Sequence, residues 1–258
     1  MSKQIDVLIF GGQSNMQGQT EGLPENNEPV QGALEYRFLT NELIPVQHPF
    51  GETIGGDLLY QAHQGNSGSL APACCRTYVE KTGREIVAIQ VARGGTMISE
   101  WLNGTARYET ALKKLRAGLA KAREIGEIGK IYYLWLQGES DAIHQTPEET
   151  YIQRLTEFKN DMKRELGIDK FGIIKVGYFC LPVDWIAWDD AEAKKWDETI
   201  MRAQERLVES DEDFVMLTRI CTQLSLDKQY INPFESGHYN NQAMEIIGSA
   251  AGEALAKL

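Results

Sequence analysis

Ile5-Asp6-Val7-Leu8-Ile9-Phe10-Gly11-Gly12-Gln13-Ser14-Asn15-Met16 decides the reading of the chain. A short apolar run rich in β-branched residues stops at two glycines and opens into polar residues. That is the pattern of a buried strand delivering a turn to a sheet edge. Four more runs of the same kind follow, at residues 86–91, 131–136, 173–179 and 214–217. Most lack strict alternation, which suits strands covered on both faces, as in a parallel sheet.

Helical spacing fills the intervals. Residues 70–81 precede the second run, and 108–125 follow it with Leu112, Leu115 and Leu119 on one face. The helix at 148–166 starts after Thr146-Pro147, a cap with proline at the first turn. Residues 191–209 and 239–258 complete the set. Strands alternating with helices predict a doubly wound α/β sandwich built on five parallel strands, and no linker or repeat divides residues 1–258, so one domain is expected. Residues 15–69 are the exception: rich in Gly, Pro, Asn and Gln, without a period. A structureless stretch of that length in a compact domain is usually the wall or lid of a site.

The 258 residues carry a formal charge of −11, with 42% apolar and 24% charged side chains. Nucleic acid and anionic membranes both need clustered Lys and Arg, so neither is an expected partner. The start of the chain lacks the long apolar region and small-residue cleavage site of a secretory signal, which predicts a cytoplasmic protein and leaves open a processed, secreted form. Cys74 and Cys75 are adjacent, Cys180 and Cys221 isolated, and no CxxC pair exists. Reduced, buried thiols are expected, with no disulfide scaffold, metal or other cofactor.

In an open α/β sheet, ligands sit beyond the carboxyl ends of the strands. The residues that follow the runs there are Gly11 to Met16, Arg93-Gly94-Gly95-Thr96 and Gln137-Gly138-Glu139-Ser140-Asp141. Glu235-Ser236-Gly237-His238 stands just before the last helix. Together they offer a hydroxyl, an imidazole, carboxylates, amides and glycine backbone, the inventory of acyl transfer. Serine needs a base to take its proton. Of the four histidines, His238 is placed for that task, His144 is its rival, and His48 and His63 fall in the irregular segment.

These blocks carry a resemblance. Gly12-Gln13-Ser14-Asn15-Met16, Gly94-Gly95-Thr96 with Glu100-Trp101, and Gln137-Gly138-Glu139-Ser140-Asp141 resemble the signature blocks of the SGNH-hydrolase superfamily. They are closest to its sialate O-acetylesterase-like and acetylxylan-esterase-like carbohydrate esterases. The nucleophile elbow of α/β-hydrolases is a different motif, because position 16 is Met where that elbow needs Gly. The resemblance implies a flavodoxin-like three-layer α/β/α sandwich and a serine acetylesterase. Its substrate would be an acetyl ester of a small molecule or oligosaccharide, cleaved through an acetyl-enzyme. Ser14 would be the nucleophile and His238 the base. Ser14 N–H, an N–H of Gly94 or Gly95, and the Gln137 amide would hold the oxyanion. The family's acid normally stands three residues before the histidine. Glu235 occupies that place here, and Glu139 is the competing acid. Glu235 is preferred because its spacing keeps it on the turn of His238. Trp101, Trp185 and Trp188 are candidates to stack on a sugar ring, and Asn15 and Arg93 to touch substrate. Trp135 and Trp196 are read as core. Two other functions compete: a thioesterase or short-chain lipase of the same superfamily, and an inactive sugar-binding protein.

Overall fold

The computed structural model describes residues 4–179, 191–235 and 237–258. The first apolar run is β1 (Gln4–Gly12), which hands over to a single helical turn, α1 (Ser14–Gln17). The irregular segment contains two strands that the sequence pattern did not reveal, β2 (Ala33–Arg37) and β3 (Glu42–Pro45). Then come α2 (Ala71–Thr82), β4 (Glu85–Ala92), α3 (Ala106–Ile125), β5 (Glu127–Leu136), the short α4 (Glu139–Ile143) and α5 (Glu148–Leu166). The chain continues with β6 (Lys170–Ile174), α6 (Ala191–Ser210), β7 (Phe214–Thr218), the short α7 (Cys221–Leu224) and α8 (Asn241–Leu255).

The sheet has seven strands in the order β3-β2-β4-β1-β5-β6-β7, which corrects the expected five. The five predicted strands are all present and parallel. β2 extends the sheet in parallel beside β4, and β3 closes that edge antiparallel. The added hairpin escaped detection because its centre is ionic. Glu35 is fully buried in β2, where it accepts from Gly51 N at 2.8 Å and pairs with Arg37 at 3.0 Å. Beside it the fully buried Lys114 of α3 pairs with Glu52 at 3.1 Å. Buried charges persist only when paired and hydrogen-bonded, and here each has partners. Desolvation nonetheless lifts the Glu35 carboxyl to about 7, against the pull of Arg37 and Lys114.

Strand alternation shows the layering. Tyr132 and Tyr133 are neighbours on β5, so their side chains leave opposite faces. Tyr132 meets Tyr78 of α2 edge-on at 6.3 Å between ring centroids, whereas Tyr133 meets Phe158 of α5 at 5.7 Å. Helices therefore cover both faces. On one, α2 packs along α8, and on the other, α3, α5 and α6 lie side by side. Phe158 and Phe171 anchor an aromatic cluster with Tyr133 and Trp135 beneath the second layer. Trp135 is core, as the sequence predicts. Cys74, Cys75 and Cys221 are buried free thiols. No helix among the described residues is long and apolar enough to cross a membrane.

Candidate active site

The site forms where β1, β4 and β5 end. Gly12 turns with φ 143°, and a Cβ there would stand 2.0 Å from the carbonyl of Leu136. Only glycine permits that approach, and it lets Gln13 N–H donate to Leu136 O at 3.0 Å as the chain crosses towards β5. Ser14 then opens α1, buried to 3% exposure. Gly94 faces it closely: a Cβ on Gly94 would lie 3.2 Å from Ser14 Cβ.

Gln13 and Gln137 hold the blocks together, a role no sequence signal marked for Gln13. Gln13 Oε1 accepts from Ser140 N at 3.1 Å, from Gly138 N at 3.3 Å and from Gln137 Nε2 at 3.3 Å. It thereby serves the amides that α4 leaves open at its start. Gln137 Nε2 also donates to Asp141 Oδ2 at 2.6 Å and to Thr96 O at 2.9 Å. Asp141 in turn accepts from Ile98 N at 2.8 Å. Gln137 has no exposed surface and its amide hydrogens are engaged. In the structure it braces the turn.

Gly94 N–H is also engaged, donating to Gln17 Oε1 at 2.7 Å. Gly95 is exposed, sits at φ 70°, and its N–H meets no acceptor among the described residues. Ser14 N–H is likewise without an acceptor there, being first in its helical turn. Of the expected donors, these two remain available.

His238 arrives on a loop fixed from both sides. Its carbonyl accepts from Asn232 N at 2.8 Å, and Asn232 Nδ2 reaches Gln19 O at 2.8 Å. Phe179 stands edge-on to the imidazole at 5.3 Å between centroids. Asn15 ties this loop to the nucleophile's turn. Its Nδ2 donates to Gly237 O at 3.3 Å, and its Oδ1 accepts from Tyr239 N at 3.4 Å. The side chain next to Ser14 thus grips the residues on either side of His238. Asn15 is 1% exposed and clamps the two loops together. Ser14 Oγ makes no hydrogen bond with a described residue in this state. Such bonds are often long without substrate and tighten around it.

The two candidate acids occupy different surroundings. Glu235 Oε2 lies 3.8 Å from His238 Nδ1, within ion-pair range and just beyond a hydrogen bond, and is part-exposed. Glu139 is buried at 2% exposure and binds Asn15 Nδ2 through Oε1 at 2.8 Å, while its Oε2 has no hydrogen-bond partner among the described residues. Burial pushes the Glu139 carboxyl up to about 7, opposed by the Asn15 bond and reinforced by the charge of Asp197. Glu139 reaches the base through Asn15. The rival base His144 is exposed and turns Nδ1 onto Ser140 O of its own helix at 2.8 Å.

Two further residues named from the sequence are engaged within the fold. Trp101 has no exposed surface: its Nε1 donates to Thr96 Oγ1 at 3.1 Å and its ring abuts Trp135, so neither face is open to a sugar. Arg93 bonds Asp57 O and Gly94 O, both at 2.8 Å, and lies over Tyr60, which makes it a brace for the long loop. Trp185 and Trp188 lie outside the described residues.

Known proteins share this fold. A probable carbohydrate esterase of Arabidopsis thaliana is 24% identical over 187 residues, 66% of this chain and 67% of that protein. The crystal structure of the Arabidopsis protein superposes with a TM-score of 0.66 at 18% identity, covering 96% of each chain. A lipase/acylhydrolase from Enterococcus faecalis gives 0.55 at 10% identity, over 98% of this chain and 96% of that one. A carbohydrate acetylesterase from Xanthomonas citri gives 0.54 at 14% identity, over 98% of this chain and 57% of that one. These likenesses place the fold with the SGNH hydrolases. The family model for carbohydrate esterases, sialic acid-specific acetylesterases, matches residues 4–255, and the chain belongs to that family.

Proposed function

We propose that this esterase removes acetyl groups from sugars through an acetyl-enzyme on Ser14. The observation that carries the reading is the Asn15 clamp, which ties the nucleophile's turn to both neighbours of His238. In the proposed reaction, Ser14 Oγ attacks the acetyl carbonyl as His238 Nε2 takes its proton. The N–H groups of Ser14 and Gly95 receive the developing oxyanion, and such fixed donors favour the transition state without reorganising. The C–O bond to the sugar breaks, and the leaving sugar oxygen takes the proton from His238. A water then attacks the acetyl group with His238 again as base, releasing acetate and restoring Ser14. Glu235 faces Nδ1 and steadies the imidazolium, the part an acid plays in a Ser-His-acid triad.

The test is hydrolysis of p-nitrophenyl acetate, p-nitrophenyl octanoate and acetylated sugars, with Ser14→Ala as control. The reading expects release from the acetate and the sugars, weak action on octanoate, and none by Ser14→Ala. Preference for octanoate would favour a lipase, and binding without turnover a sugar-binding protein. EDTA should leave the activity intact, since no step calls on a metal.

A further inference from the structure

We propose that the cleft between α2 and α8 is a second saccharide site, one that grips a longer glycan away from its acetyl group. The cleft encloses about 660 Å³ and is walled by residues 24–31, His48, Ser69 and the facing helices. Small-molecule sites commonly occupy about 300–1,000 Å³. None of Ser14, Gly95, Asn15 or His238 lines it. It rests on the same loops, however: Gly68, beside Ser69, packs against Gly18 at the end of α1, and Asn241 follows three residues after His238.

The wall is held in place by its own hydrogen bonds. Asn27 clasps the backbone of His48 from both sides, donating to its carbonyl and accepting from its N–H, each at 2.7 Å. His48 Nδ1 accepts from Ser69 N at 3.2 Å, so the neutral ring carries its proton on Nε2. Burial, with Arg76 nearby, lowers the imidazole to about 4 and keeps it neutral at physiological pH. Ser69 N–H is thus held by the imidazole, and Asn241 Nδ2 donates to Gly22 O at 3.0 Å, which fixes both residues in the wall.

The charges select the ligand. Glu28, Glu80 and Glu245 ring the cleft, and Arg76 is already paired with Glu245. An anion would meet net negative charge. A hydroxyl donates and accepts at once, which suits the mixed polar lining of Asn26, Gln31, His48 and Gln242. Pro24, Pro29, Pro72 and Val79 supply apolar surface for the C–H faces of a pyranose. The choice of a neutral sugar rests on the carbohydrate-esterase reading above; detecting its binding does not depend on that reading.

The experiment is calorimetric titration of the whole chain with unacetylated xylo-, cello- and mannohexaose, with hexagalacturonate and a chitosan hexamer as charged controls. At least one neutral hexamer should bind. Gln242→Trp, on the exposed first turn of α8, should weaken it tenfold or more, and Arg76→Ala supplies a second lesion in the same wall. Both variants, and wild type saturated with the hexamer, should hydrolyse p-nitrophenyl acetate at the wild-type rate, which also certifies folding. Binding of no neutral hexamer, binding only of a charged one, or binding that competes with p-nitrophenyl acetate and ignores both variants overturns the proposal. Tight hexamer binding without any esterase activity would retain the cleft and remove the esterase reading.

Discussion

The amide of Asn15 donates to Glu139 Oε1 at 2.8 Å, joining two blocks 124 residues apart at the floor of the site. The same nitrogen holds Gly237 O, so a buried acid and the loop of the base share one donor group. Asn15→Ala should lower kcat by about ten- to a hundredfold, matching about 1–3 kcal/mol for an orphaned buried partner, with KM little changed. An effect confined to KM would make Asn15 a substrate contact.

Glu235 and Glu139 act on His238 by different routes, and kinetics separates them. Glu235→Gln should lower kcat by up to about 10⁴, the scale on which losing a triad acid acts, with little change in KM. Glu139→Gln keeps the acceptor for Asn15 and should stay within about tenfold of wild type. The reverse ranking would make Glu139 the acid of the triad.

Gln137 is predicted to matter for folding. Its amide joins Thr96, Asp141 and Gln13, and removing it leaves buried acceptors unpaired. Gln137→Ala should lower stability by about 1–3 kcal/mol in denaturant titration. An oxyanion donor would behave otherwise, with stability unchanged and kcat down by about 10²–10³.

Glu35 and Glu139 each hold a proton up to about pH 7 in the folded chain, against 4.5 when unfolded. The folded state therefore binds more protons between those values. The stability this confers is complete below pH 4.5 and is lost as pH rises through 7. Each group accounts for about 3 kcal/mol, at about 1.36 kcal/mol per unit. Urea titrations of Glu139→Gln should show its stability falling less than that of wild type between pH 5 and pH 8. Parallel curves would mean that Glu139 is ionised throughout.

The sheet's centre was legible because β1, β4, β5 and β6 are apolar runs largely buried on both faces, and the edge strand β7 is an apolar run that is half-buried. β2 was not, since Glu35 and Arg37 break its apolar pattern and only the partners Gly51, Glu52 and Lys114 make their burial tolerable. The site's location was readable from residues that follow strand ends. The division of labour within it was not. Asn15, Gln137 and Arg93 are polar residues beside the nucleophile or the glycines, where sequence suggests contact with substrate or oxyanion. Their hydrogen bonds run instead to backbone and side chains up to 224 residues away. Trp101 was named for its ring, yet its Nε1 bond to Thr96 turns the indole inward.

Trapping the acyl-enzyme tests the central claim most directly. A His238→Ala chain incubated with p-nitrophenyl acetate, quenched in acid and digested, is read by peptide mass spectrometry. Without the base both steps slow, but p-nitrophenolate leaves without a proton whereas deacylation needs an activated water, so one acetyl group should accumulate on Ser14 and nowhere else. Wild type should show the label only transiently, and Ser14→Ala never. Acetate released by wild type with no label on Ser14 in either chain, or a label on another residue that tracks turnover, would contradict the account.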